Sequence, residues 1–380
     1  MIRICSLAIT VLLLPLSTIN PAAAQPQSIF YLLVGTYTSE AADGIYVYKF
    51  DASTGQSSYV SEVTGVENPA YLAVSPDERY VYSVNEFDED GPSLSSFAFD
   101  KDTGKLTFLN KQPSNGGAPC YISVDKTGQA VFAANYLGGS LVMLPVNEDG
   151  TLDEPELTIE HEGSSVNEER QESPHLHCTY VSPDNSRVFA TDLGTDRVVG
   201  YEFHEDQVRL ESVPSSVYKA EPGAGPRHLT FHPNGQFAYL LNELNGTVDA
   251  FRYRKGGLDH LQTISMLPAN YNGSVLAADI HVSPDGRYLY ASNREDLNNI
   301  VIYSIDEESG RLSFVGQKPS GGVHPRNFMI DPTGSYLLVA NRHTDNIVVF
   351  ERDKETGMLT ATGREIEVSQ PVCLKMIPVN

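Results

Sequence analysis

Short apolar runs alternate with turn residues along this chain, and the alternation repeats as a phrase. The phrase is Pro, an extended stretch to a second Pro, a tight turn, then an apolar run ending in Asn or Asp. It reads PAYLAVSPDERYVYSVN from Pro69, PRHLTFHPNGQFAYLLN from Pro226 and PRNFMIDPTGSYLLVAN from Pro325, with weaker copies from Pro119, Pro174 and Ala277. The second Pro or its stand-in falls at Pro76, Lys126, Pro183, Pro233, Pro284 and Pro332, in steps of 50, 57, 50, 51 and 48 residues. Such runs, bounded by Pro-Asp-Gly-type turns, read as antiparallel strands, and no segment sustains the 3.6-residue period of a helix. A strand-rich unit repeating every ~50 residues predicts an all-β propeller.

A seventh copy is split between the ends. Pro371–Pro378 (PVCLKMIP) keeps the opening step and then the chain stops, while Tyr31-Leu-Leu-Val-Gly-Thr reads like the second strand of a copy. The expectation is therefore seven blades, the last closed by a C-terminal strand laid against N-terminal ones. Closure removes the open sheet edges that would otherwise template aggregation. The chain has no Trp, which counts against repeats of the WD type.

Composition changes this picture in three places. Arg3, an apolar stretch from Leu7 to Leu16 and the small residues Ala22–Ala24 read as a secretory signal peptide over residues 1–24, followed by one propeller domain over 25–380. That predicts an exported protein, periplasmic or extracellular. The formal net charge is −23, which argues against nucleic acid and anionic membranes as partners but leaves room for a local cluster of Arg. Cys120, Cys178 and Cys373 are odd in number and fall on innermost strands, so they are expected to be buried free thiols.

Antiparallel pairing places the start of a blade's first strand and the end of its second at one mouth of the central channel. Six residues before each second Pro stand Ala70, Cys120, His177, Arg227, Ala278, Arg326 and Val372. Ten residues after it stand Glu86, Tyr136, Leu193, Glu243, Arg294 and Arg342, with Thr36 in the split blade by alignment. A purely structural position would repeat one residue type, as Asn85, Asn135, Asn242, Asn293 and Asn341 do. These positions diverge into His, Arg and Glu, the sign of a site built on a scaffold. His175 shares the face of His177, because side chains two apart on a strand point the same way. The long third copy adds a polar loop, 160–173, expected to overhang the mouth.

Simpler roles account for other features. The Asn run reads as turn structure, although Asn242 lies next to Glu243 and is kept as a substrate contact. His204, His232, His260 and His281 are scattered and carry no pattern. His-x-His falls short of the three or four ligands a metal needs, and Arg at the mouth would repel a cation; no metal or other cofactor is expected. The Gly-x-Ser-x-Gly elbow, the Walker loop and His-Glu-x-x-His are absent. A general base beside cationic groups that stabilise charge on oxygen remains.

The phrases RQESPHLHCTYVSPDNSRVFATDLGTDRV, GAGPRHLTFHPNGQFAYLLNEL and ASNRE make the chain resemble the seven-bladed lactonase family, over Tyr31 to Pro378. That family includes propeller-type 6-phosphogluconolactonases and carboxy-muconate lactonizing enzymes. The resemblance implies opening or closing of a lactone ring without a metal, with His177, Arg227, Glu243 and Arg294 matching the catalytic set. Either Glu243 or His177 would take the proton; Arg326, His175, Glu86 and Asn242 would contact a small anionic or sugar-acid lactone. A ring-closing lyase and a non-catalytic binding propeller remain as alternatives, and export disfavours a phosphorylated cytoplasmic substrate.

Overall fold

The computed structural model describes residues 28–379 except 40, 88–90 and 255–256, the side chains of 213–216 also being left aside; of the expected leader it describes residue 2 alone. Among the described residues twenty-eight strands, β1 (Ile29–Thr36) to β28 (Pro371–Pro378), form seven four-stranded antiparallel sheets. The first sheet has the order β28-β1-β2-β3, with β2 at Gly44–Asp51 and β3 at Gln56–Thr64. The C-terminal strand is thus innermost beside N-terminal strands, the closure the split phrase foretold.

The other six innermost strands are β4 (Leu72–Val74), β8 (Pro119–Val124), β12 (Leu176–Val181), β16 (Pro226–Phe231), β20 (Ala277–Val282) and β24 (Pro325–Ile330). Their hairpin partners are β5 (Tyr80–Asn85), β9 (Ala130–Asn135), β13 (Arg187–Asp192), β17 (Phe237–Asn242), β21 (Tyr288–Asn293) and β25 (Tyr336–Asn341). Inner strands touch in sequence around a closed ring, β4 to β8 and onward to β28, which returns to β4. The second strands are apolar on both faces because each blade is covered by its neighbours: β9 and β17 are buried throughout. Fourth strands, such as β3, alternate between exposed and half-buried positions.

At five junctions between neighbouring blades an aromatic ring lies on a glycine, as Tyr336 on Gly55, Tyr31 on Gly104, Tyr80 on Gly150, Phe237 on Gly310 and Tyr288 on Gly357. Gly310 holds φ +72° in the turn before the outer strand of its blade, and a Cβ there would stand 2.2 Å from the Phe237 ring. Tyr239 donates to the Gly310 carbonyl at 3.0 Å, and Tyr290 donates to that of Gly357 at 2.7 Å. Cys120, Cys178 and Cys373 are free and buried.

Candidate active site

Two repeated backbone devices aim side chains into one mouth of the channel. The first is a β-bulge in the inner strand. Pairing skips from Pro119 to Tyr121, Leu176 to Cys178, Pro226 to His228 and Pro325 to Asn327, which leaves Cys120, His177, Arg227 and Arg326 outside the ladder. A bulge bends its strand and re-aims the extra residue.

The second device is a latch across the hairpin. The N–H of Glu86 donates to Asn68 O, Tyr136 to Ala118, Leu193 to His175, Glu243 to Gly225, Arg294 to Leu276 and Arg342 to His324, all between 2.7 and 3.1 Å. In five blades the acceptor precedes a Pro and is left-handed: Asn68, Ala118, Gly225, His324 and Gln370, with φ from 43° to 69°. The seventh latch runs from Tyr37 to Gln370 at 3.1 Å. Tyr37 therefore holds the position that alignment gave to Thr36. Pairing shifts between Gly35 and Thr36 and puts Thr36 opposite Pro371, the place Asn135 takes opposite Pro119.

The mouth encloses a cavity of about 500 Å³ lined by Glu86, His177, Glu243, Arg294, Arg326 and Arg342, with Tyr37, Cys120, Tyr136 and Arg170. The overhanging loop supplies Arg170. No repeat position pointed to it, because the loop has no counterpart in other blades.

Glu243 is the centre of the charge. Its Oε1 accepts from Arg170 Nη2 at 2.6 Å; its Oε2 accepts from Arg227 Nε at 2.8 Å and lies 3.0 Å from Arg294 Nη2. Burial alone would raise this carboxyl, but Arg294, Arg227 and Arg170 overcome it and hold it near 2. Arg227 is fully enclosed behind the cavity. Its Nη1 sits 3.1 Å from His228 Nε2, and His228 Nδ1 is 2.8 Å from Asp279 Oδ1. Asp279 fixes the His228 tautomer and through it the angle of Arg227. Sequence reasoning named Ala278 here and missed its neighbour, because this bulge spans both residues.

Arg294 also donates from Nε to Leu276 O and from Nη2 to Ala277 O, both at 3.0 Å. Burial, then repulsion from Arg227 and Arg326, loosens its proton to about 9. Burial, and after it Arg227, His228 and Arg326, push His177 well below 6.5, so its ring is neutral; its Nδ1 lies 3.7 Å from Cys120 Sγ. Arg326 and Arg342 flank the Tyr37 ring at 5.4 and 4.3 Å.

Two expected contacts fall elsewhere. His175 is absent from the lining: it precedes β12, and the bulge at His177 breaks the alternation that would have joined them. Its ring stacks on Tyr136 at 4.6 Å, with Nδ1 3.0 Å from Tyr136 O. Asn242 points into its own blade, where its amide donates to Thr247 Oγ1 at 2.9 Å and Asp249 Oδ2 at 2.8 Å. It is scaffold, as Asn85 and Asn135 are when they donate to Glu67 O and Ser114 O.

The fold and site define a closed seven-bladed propeller with an arginine-rich cavity at one mouth of its channel. The chain belongs to the family described as lactonase, 7-bladed beta-propeller, whose model matches residues 31–376. A Bacillus subtilis protein named 6-phosphogluconolactonase is 38% identical over 346 residues, covering 90% of this chain and 97% of the relative. One of the same name from Formosa agariphila is 37% identical over 355 residues, covering 91% and 99%. The solved structure of the Pseudomonas aeruginosa periplasmic gluconolactonase PpgL superposes with a TM-score of 0.89 at 37% identity, covering 93% of this chain and all of that one.

Proposed function

We propose that this protein hydrolyses the lactone of a sugar acid at the propeller mouth, without a metal ion. The observation that carries the reading is four guanidinium groups, Arg170, Arg294, Arg326 and Arg342, lining one small cavity with Arg227 behind them. Ring opening develops negative charge on the carbonyl oxygen. Arg294 and Arg170 are pre-set by Glu243 to meet it, and one well-placed donor is worth about 10²–10³ in rate. Arg326 and Arg342 suit a hydroxyl, carboxylate or phosphate on the far arm of the substrate. A bound anion also relieves the repulsion among these cations. The names of the Bacillus and Pseudomonas relatives support an aldonolactone, phosphorylated or not.

Both expected bases change character under this reading. Glu243, with each oxygen taken by guanidinium, orients the arginines and does not accept a proton. His177, kept neutral, offers a hydrogen bond to the substrate. Export of the chain is part of the proposal, supported by the leader-like residues 1–24 and by the periplasmic relative.

Steady-state rates on 6-phosphogluconolactone, gluconolactone and a muconolactone test the reading. Aldonolactone turnover that EDTA leaves unchanged is expected. Ring closure of a muconate without aldonolactone hydrolysis would replace hydrolysis with the lyase reading. The expressed chain is expected to begin at Gln25 in the periplasm or medium; a chain retaining 1–24 in the cytoplasm would refute export.

A further inference from the structure

Among the described residues two carboxyl groups line the cavity, in opposite surroundings. Glu243 has both oxygens held by guanidinium groups. Glu86 is engaged through one oxygen only: Oε2 accepts the Tyr37 hydroxyl at 2.7 Å and has Arg326 Nη2 at 3.9 Å, beyond hydrogen-bond reach. Its Oε1 accepts no hydrogen bond among the described residues. Both partners are fixed by the backbone. Glu86 follows β5 and is latched to Asn68; Tyr37 follows β1 in the neighbouring blade and is latched to Gln370. The two guanidinium groups on the Tyr37 ring restrain the direction of its hydroxyl.

We propose that Glu86, oriented by Tyr37, is the catalytic carboxyl that moves the proton in lactone opening. The assignment rests on lactone hydrolysis being the reaction. Glu86 Oε1 takes a proton from water as the water oxygen bonds to the lactone carbonyl carbon, giving a tetrahedral oxyanion beside Arg294. The oxyanion re-forms its carbonyl, the bond from the acyl carbon to the ring oxygen breaks, and Glu86 returns its proton to the departing oxygen. The products are a hydroxyl and a carboxylic acid, and the acid's remaining proton leaves to solvent.

Besides burial, charge at Glu86 is set by Arg326 on β24, Tyr37 beyond β1, Arg227 on β16 and Arg342 beyond β25, and the Cys120 thiol on β8 is in turn raised by Glu86. Burial prevails over the guanidinium groups and the Tyr37 hydrogen bond and raises Glu86 above the ordinary glutamate range. Glu243 is held far below that range. Carboxyls driven apart in this way take separate roles, and a carboxyl nearer the working pH is the better proton carrier.

The test is the pH profile of kcat in variants whose melting temperatures are measured alongside. Glu86→Gln is expected to lower kcat by about 10²–10⁴-fold, to abolish the acid-side fall and to leave KM within a few-fold. Tyr37→Phe keeps the ring under the arginines but removes the donor that favours the charged carboxylate, so the acid-side fall moves to higher pH. Glu243→Gln is expected to lower kcat/KM while keeping that fall. A Glu86→Gln enzyme with wild-type kcat and an intact acid-side fall would overturn the assignment and leave lactone hydrolysis standing. A wild type inert on every lactone would overturn both. If Glu86→Gln does not fold, Tyr37→Phe decides: an unmoved profile refutes the role.

Discussion

In four of the inner strands a bulge releases one side chain from the ladder, and its identity decides what the blade contributes to the mouth. That is why these positions could be read from sequence: the scaffold repeats while they do not. His177, Glu243, Arg294, Arg326 and Glu86 were found this way and line one cavity. Three other outcomes follow from local geometry. Arg170 sits in a loop without a repeat, Tyr37 was displaced by one residue at the register shift, and His175 lost its alternation at the bulge. Within the site, the single charge of Glu243 is shared by three guanidinium groups. Glu243→Gln is expected to cost about 3–5 kcal/mol in urea unfolding at neutral pH, because it leaves buried cations unpaired. Its folded-state value near 2 lies below the ordinary 4.5, so its stabilisation is full above about pH 4.5 and is lost as pH falls toward 2. Wild type should therefore lose more stability than Glu243→Gln between pH 5 and 2.5; parallel losses would contradict the ion cluster.

At the scale of the element, each hairpin is a standard part with a variable tip. The latch from the residue after the second strand to the residue before the first recurs in all seven blades. It holds the site residues on backbone hydrogen bonds rather than on mobile loops. Strands and turns were legible because apolar runs and Pro-Asp-Gly punctuation are local signals. The bulges were not, since they depend on how two strands pair. The ring-on-glycine contact between blades was equally hidden. Gly310→Ala forces a Cβ toward the Phe237 ring at a left-handed position. It is expected to destabilise by about 1–3 kcal/mol, read as a lower melting temperature with kcat of the folded enzyme unchanged. An unchanged melting temperature would refute this grip between blades.

For the whole molecule, the ring is closed by one strand. β28 pairs along β1 from Pro378 to Pro371 and touches β4 and β24 on either side. Deleting residues 371–380 bares the edge of β1 and the flanks of β4 and β24 and is expected to give insoluble or molten chain; a soluble product with wild-type melting would contradict the closure. The net charge of −23 does not describe the site, where, among the described residues, cationic side chains outnumber the carboxyls. Central to the account is that this cationic mouth opens a sugar lactone. The direct measurement is initial acid release from gluconolactone and 6-phosphogluconolactone, for wild type and Arg294→Ala in the same weak buffer. The account predicts saturable wild-type turnover above the spontaneous rate on at least one of them, falling about 100-fold or more in the variant. Wild-type rates equal to the spontaneous ones, or a variant as fast as wild type, would contradict it.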